Sequence, residues 1–429
     1  MPPAPIAAMK LICGSIIKRL VIGRPIENHS ASKGENIMEE CTPTVNTGLR
    51  GVTVASTKIS HVDGAAGKLI YRGYLVKDLA ESTSYEEVAH LLLYEHLPNA
   101  KELKTFNDFL AQNRALPEAI IDILKCCPRN TSPMDILQGI VSLIASDDPD
   151  LDDRNREASI RKASRLIAKF PTIMAAWHRI RNDKEPVAPD PALTHAANFL
   201  YMLNGEKPDE ELTRFFDTSL VLHAEHSFNA STFSARQVAS TRAHMYSAVA
   251  AAVGSLSGEL HGGANVRVME MLIKIGAVEN VDGYVQSELE AGRLIFGLGH
   301  AVYQTDDPRA HILAPMSKRM GERIGQPQWY EISSVLEKRG KAIFKERKGI
   351  DIYVNVDFYS ASLFYTMGIP IDLFSPLFAL SRVAGWAAHV IEEQYADAAP
   401  KPALYRPKSN YIGDYCGPDE CSFVPMDDR

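Results

Sequence analysis

Six cysteines are scattered over 429 residues without a Cys-x-x-Cys pair or any metal-finger spacing. Cys126 and Cys127 are adjacent, while Cys416 and Cys421 flank a turn. A reduced, cytoplasmic protein is therefore the simpler expectation than a disulfide scaffold. No apolar run approaches the ~20 residues that a membrane-spanning helix needs. No basic arm or stripe offsets a formal net charge of -7, which argues against nucleic acid as a partner. The chain has no internal repeat, heptad array or Gly-rich phosphate loop opening a helix, and Gly297-Leu-Gly299 lacks the βαβ context of a dinucleotide fingerprint. A Gly-x-Ser-x-Gly elbow and an activated cysteine setting are missing too, which speaks against a Ser or Cys hydrolase.

What is present is ordinary in bulk: 45% apolar and 23% charged residues, enough for a large core and two domains. The N-terminus stands apart. Met9 to Gly23 interleaves Leu11, Ile12, Ile16, Ile17, Leu20 and Val21 with Lys10, Lys18 and Arg19, a pattern too short and too interrupted for a signal peptide. Residues 27–46 are polar and patternless, so residues 1–37 are expected to be a disordered extension or an upstream misassigned start before Met38.

Residues 47–75 form the one β region. Val52 and Val54 alternate, and Asp63-Gly64 with Gly67 turns the chain into Leu69-Ile70-Tyr71. Helical signals dominate afterwards. Ser84 and Glu87 make a capping box, Ser132 caps a helix that has Pro133 at its first position, and Ile160 to Trp177 repeats at helical spacing with a bend expected at Pro171. Gly276 and Gly368 are natural helix stops. The fold class predicted is mainly α with a small N-terminal β ribbon.

Arg382 lies in the apolar run Asp372 to His389, whose residues would be buried on every side. Burying a guanidinium unpaired costs several kcal/mol, so it needs an anion: either a carboxylate from elsewhere in the chain or a ligand bearing carboxylates. Six of the 13 histidines fall between His223 and His311. His223 and His226 are read as lying on one helix starting near Asp209, either as metal ligands or as core and ligand-facing side chains. His261 sits at the end of a helix beside Gly262 and Gly263. A following helix would favour neutral imidazole there, suited to donating a hydrogen bond to an oxyanion. His300 follows Gly297-Leu-Gly299, and Asp307-Pro-Arg309 offers a second arginine. Asp357, flanked by apolar groups, is either a general base with a raised pKa or a helix N-cap. Arg406-Pro-Lys408 sits in a polar C-terminal segment. Together these residues fit proton abstraction beside a carbonyl, with a dicarboxylate held by arginines.

Five ordered stretches resemble the citrate synthase family: His223-Ala-Glu-His-Ser-Phe-Asn-Ala-Ser-Thr232, Gly258-Glu-Leu-His-Gly-Gly-Ala-Asn265, Gly297-Leu-Gly-His-Ala-Val-Tyr303 with Asp307-Pro-Arg309, Asn355-Val-Asp-Phe-Tyr-Ser360 and Arg406-Pro-Lys-Ser409. The resemblance runs from about Gly48 to the C-terminus. It implies a helical homodimer with a large domain, 38–261 plus 372–429, and a small mobile domain, 262–371. Oxaloacetate would be held by His226, His300, Arg309 and Arg382, with Arg406 supplied by the partner subunit. Asp357 would take a proton from the acyl-CoA, His261 would hydrogen-bond the thioester oxygen, and Gly297, Leu298 and Gly299 would line the CoA site. No metal or redox cofactor is implied.

One departure is Gln304, where many members of the family carry a basic residue. Lys341, Lys345, Arg347 and Lys348 are candidates to compensate. Acetyl-CoA is the leading substrate, with propionyl-CoA and 2-methylcitrate, or dual use, as the alternative. Ser227-Phe228 and Gly385-Trp-Ala-Ala-His389 resemble 2-methylcitrate synthases, whereas Asp357-Phe-Tyr is common among citrate synthases. A catalytically silent homologue is a remote third reading, opposed by intact His261, His300 and Asp357.

Overall fold

The computed structural model describes residues 45–49, 51–300, 302–413 and 425–428. The expected extension over residues 1–37, Met38 and the Cys416–Cys421 turn lie outside the described residues. Val52–Lys408 forms one compact unit, which contains every candidate site residue. The other unit, Met1–Gly51 with Ser409–Arg429, shows among its described residues two short 3-10 turns, Thr47–Leu49 and Met426–Asp428.

The β ribbon consists of β1 (Ser60–Asp63), β2 (Lys68–Tyr71) and β3 (Tyr74–Leu75), antiparallel in that order, with Ser60 opposite Tyr71. The Asp63 carboxylate accepts the Ala65 and Ala66 N–H groups and so closes the first turn. Val52 and Val54, read as part of the β region, lie outside these strands. Alternation over two positions pairs nothing without a neighbouring strand to bond.

Helices follow in sequence. The first group is α1 (Val76–Ser82), α2 (Tyr85–Tyr94), α3 (Ala100–Gln112), α4 (Glu118–Cys126) and α5 (Pro133–Leu143). Next come α6 (Arg156–Arg181), α7 (His195–Asn204), α8 (Glu210–His223), α9 (Ala230–Ser240) and α10 (Met245–Leu256). The last are α11 (Ala264–Ile275), α12 (Val281–Glu290), α13 (Pro308–Arg323), α14 (Gln328–Lys348), α15 (Asp357–Thr366) and α16 (Phe374–Tyr395). The expected start and stop signals are in place. Ser84 and Glu87 close a reciprocal capping box on α2, and Ser132 caps α5 ahead of Pro133. Gly276 and Gly368 turn left-handed at the ends of α11 and α15. Helix α6 continues through Pro171.

Two long helices, α6 and α16, form the axis of the unit and pack on each other. Both are buried along most of their length, with Trp177 and Trp386 inaccessible to solvent. Truncating either tryptophan to Ala would cost about 3–5 kcal/mol. Helix α16 also touches α2, α5, α8, α9 and α10, while α11 to α15 pack chiefly among themselves. The second group meets the first through α11 on α16 and α13 on α1 and α8. No helix among the described residues is long and apolar enough to cross a membrane.

The Ser84 side chain accepts the Glu87 N–H, and the Glu87 carboxylate accepts the Ser84 N–H at 2.7 Å. Ser84→Ala opens this box and is expected to lower stability by about 1 kcal/mol, read as a lower urea midpoint with an unchanged slope.

Candidate active site

Helix α8 stops at His223, so His226 does not share it as the sequence reading expected. Ser227 then takes a left-handed backbone (φ 52°), which turns the chain toward α9. His223 and His226 therefore part company. The His223 Nδ1–H donates to the Ser219 carbonyl at 2.7 Å, and its ring packs edge-on against Phe378. Burial pushes its pKa down to about 3. The His226 ring instead faces His300, with centroids 5.7 Å apart.

Two buried arginines define the charge of the site. Arg309 is 2% exposed and grips Asp307 through Nε (2.9 Å) and Nη2 (2.7 Å). Arg382, 1% exposed, donates Nε–H to the His223 carbonyl at 2.7 Å and lies 4.6 Å over the Phe378 ring. Its Nη2 has no hydrogen-bond partner, and no carboxylate pairs with it among the described residues. Among the described residues, the protein-internal ion pair left open by the sequence is thus not formed. Burial lowers the Arg382 pKa to about 10, still far above neutrality.

The histidines around these cations are neutral, and hydrogen bonds fix the tautomers of His300 and His261. Burial lowers His226 well below its usual range, with Arg309 and Arg382 adding repulsion. His226 Nε2 is buried and unpartnered. Burial brings His300 to about 4. Its Nδ1 accepts the N–H groups of Val302 (3.0 Å) and Tyr303 (2.9 Å), so Nε2 carries the proton and can donate. The Tyr303 hydroxyl, also unpartnered, belongs to a ring 4.5 Å from His300. Sequence reasoning gave Tyr303 no role, although it stands in the His300 motif.

His261 lies in the turn between α10 and α11, five residues past the end of α10. Its Nε2 accepts the Ser231 N–H (3.2 Å) and lies 2.8 Å from the Ser231 hydroxyl, which accepts the Trp386 indole N–H at 3.1 Å and donates to Asn229 Oδ1 at 2.8 Å. The proton is left on Nδ1. The imidazole is neutral, with a pKa lowered to about 4 by burial and then by Arg382.

Asp357 opens α15 without capping it. Val356 holds the N-cap position and no side chain caps the helix, which removes the alternative reading. The Asp357 carboxylate makes no hydrogen bond among the described residues. Burial raises its pKa to about 6; Arg309 and Arg382 pull it down while Asp307 pushes it up. The backbone brings Asp357 and His300 together. Leu298 bridges Val354, the Gly299 N–H donates to Tyr353 (2.7 Å), and the Asn355 N–H donates to Gly297 (3.0 Å). Gly297 (φ 80°) is required here, since a Cβ would sit 2.5 Å from the Phe358 ring.

His226, His300 and Asp307 each offer a potential metal-ligand atom within 4.8 Å of the others. Asp307 is already neutralised by Arg309, however, and Arg382 adds a second positive charge. The field favours an anion over a cation. Arg406 is not brought into the cluster: it is exposed and makes no ion pair or hydrogen bond among the described residues. Of the basic residues considered beside Gln304, Lys341 is tied to Asp306 and Glu337, Lys345 to Asp351 and Arg347 to Glu290. Lys348 lies over the Phe344 ring and has no carboxylate partner among the described residues.

A buried anion site beside an unbonded carboxylate of near-neutral pKa and two neutral N–H imidazoles defines an enzyme site suited to removing a proton next to a carbonyl. The model of the citrate synthase C-terminal domain matches residues 48–408. The chain belongs to the citrate synthase family. It is 46% identical to a citrate synthase of Haloferax volcanii, the match covering 89% of this chain and 98% of that one. It is 40% identical to a 2-methylcitrate synthase of Mycobacterium tuberculosis, over 86% and 91% of the two chains. Its fold also matches a Thermoplasma acidophilum citrate synthase solved as a ternary complex with carboxymethyl coenzyme A and oxaloacetate, with TM-score 0.82, 30% identity and coverage of 90% and 100%.

The Asp357 carboxyl holds its proton more tightly in the folded chain, at about 6 against 3.8, so it costs stability as pH rises through that window. Asp357→Asn is expected to be more stable than the parent at about pH 7.5, with the advantage gone below about pH 4. Paired denaturant titrations at the two pH values check this.

Proposed function

We propose that this chain condenses acetyl-CoA with oxaloacetate and hydrolyses the resulting thioester to citrate and CoA. The observation that carries this reading is the buried Arg382 guanidinium, paired with no carboxylate among the described residues, in a cluster with the unbonded Asp357 carboxylate. Arg309, Arg382 and His226 hold the oxaloacetate carboxylates, completed by Arg406 from the second subunit of a homodimer. Asp357 removes the α-proton of the acetyl group while the His261 Nδ1–H stabilises the enol oxygen. The enol carbon then bonds to the oxaloacetate ketone carbon, and His300 Nε2–H donates to the oxygen that gains charge. Water cleaves the C–S bond and CoA leaves as the thiol. Proton removal and oxyanion stabilisation each contribute roughly 100-fold or more.

Gly297, Leu298 and Gly299 form the near wall of the CoA site in this reading. The segment 262–371 moves as a smaller domain that closes over the substrates and excludes water until condensation is complete. No metal or redox cofactor takes part, and the enzyme works in the cytoplasm. Propionyl-CoA, giving 2-methylcitrate, is the second reading, favoured by the contact of Phe228 with His389, which joins the two motifs resembling 2-methylcitrate synthases. One methylene in an apolar pocket is worth only ~1–3 kcal/mol, so use of both substrates is compatible with the site.

Thiol release with oxaloacetate and either acyl-CoA tests the reading. A higher kcat/KM for acetyl-CoA is expected; a propionyl preference would move the assignment to 2-methylcitrate. No release with either substrate from folded protein would leave the silent homologue. Asp357→Ala should lower kcat about 100-fold or more, and an unchanged rate would refute Asp357 as the base. Mixing inactive Arg406→Ala with inactive Asp357→Ala chains should restore activity as subunits exchange. No recovery despite verified exchange would refute a shared site.

A further inference from the structure

His226 hangs on a six-residue loop, 224–229, between α8 and α9, and its geometry depends on the residue before it. Glu225 is 0% exposed, yet among the described residues it makes no ion pair or hydrogen bond with an arginine. A single oxygen, Oε1, collects three donors: the Ser227 N–H (2.5 Å), the Ser60 hydroxyl (2.9 Å) and the His389 Nε2–H (3.0 Å). His389 is committed to that role by Arg236, whose Nη1 donates to its Nδ1 at 3.0 Å and leaves the ring proton on Nε2. The Glu225 backbone is held as well, its carbonyl accepting the Tyr71 hydroxyl at 2.9 Å.

We infer that Glu225 is a positioning residue: its carboxylate holds the peptide group after His226, while Tyr71 holds the one before it, so that the His226 ring meets the oxaloacetate carboxylates. The left-handed Ser227 belongs to the same loop, and its N–H donates to both the Glu225 carboxylate and the Ser60 hydroxyl oxygen. Helix α16 makes room for it. A Cβ on Gly385 would come within 2.3 Å of Glu225 Oε2 and 2.4 Å of the Ala224 carbonyl. Gly385 and His389 therefore serve one purpose, a clear seat for the Glu225 carboxylate and a donor aimed at it. The inference rests on the reading that His226 binds oxaloacetate.

The test is the kinetics of full-length variants. Glu225→Leu removes the acceptor and should raise KM and Kd for oxaloacetate about 10-fold or more, leaving the acyl-CoA KM within about threefold. Glu225→Gln retains an accepting oxygen and should recover most of that loss. Unchanged oxaloacetate binding in Glu225→Leu overturns the inference, and so does damage from Glu225→Gln equal to that from Leu. A variant that merely loosens the fold would lower Tm and kcat without singling out oxaloacetate. If Glu225→Leu does not fold, Ser60→Ala and His389→Phe, each removing one donor, take its place. A selective rise in oxaloacetate KM in either supports the inference, and no rise in both overturns it. His226→Asn run alongside separates the two levels. If it leaves oxaloacetate binding intact in an active enzyme, the placing of oxaloacetate falls and the inference with it. If His226→Asn weakens binding and the Glu225 variants do not, the positioning role alone falls.

Discussion

A guanidinium buried without a carboxylate to pair it is unfavourable, and Arg382 is held in that state by groups that cannot neutralise it. A carbonyl and an aromatic face satisfy its Nε and its flat surface, while Nη2 is left without a partner. Arg309 lies nearby with its charge matched by Asp307. The surplus of positive charge, with burial, keeps His226 and His261 neutral, and burial does the same for His300. Neutral His261 and His300, whose tautomers are set by backbone N–H donors, can each present one N–H to a substrate without adding further charge.

Much of the site is held from behind by one helix. Within a few residues of α16, Arg382 supplies the cation, Gly385 clears space for Glu225, Trp386 bonds Ser231 behind His261, and His389 bonds Glu225 behind His226. A helix this deeply buried has little freedom to shift. Its contacts with α6 and α9 thus bear directly on the placement of two histidines it does not carry. The small segment α11 to α15 contributes the remaining groups, and the Leu298–Val354 bridge joins His300 to the start of α15.

Several parts of this arrangement were legible in the sequence for identifiable reasons. Capping boxes and glycine stops act within one turn of chain, so Ser84, Ser132 and Gly276 read correctly. Arg382 was conspicuous because a charge in an all-apolar helix has few bland explanations. The His223–His226 pair misled: helical spacing was assumed to continue, while α8 ends at His223. The neutral His261 also draws on distant groups, since burial and a cation from a helix more than a hundred residues away lower its pKa.

The sequence by itself determined the helical framework, the small β ribbon and the identity of the chemical groups, because periodicity, caps and residue type are local properties. Tertiary structure alone decided which open alternatives hold: that Arg382 pairs with no carboxylate among the described residues, that Asp357 does not cap α15 and carries a raised pKa, and that Tyr303 and Glu225 stand beside the histidines. Each of these depends on what is packed against a group from distant parts of the chain. Burial and hydrogen-bond partners are set by that packing, and no spacing along the sequence records them.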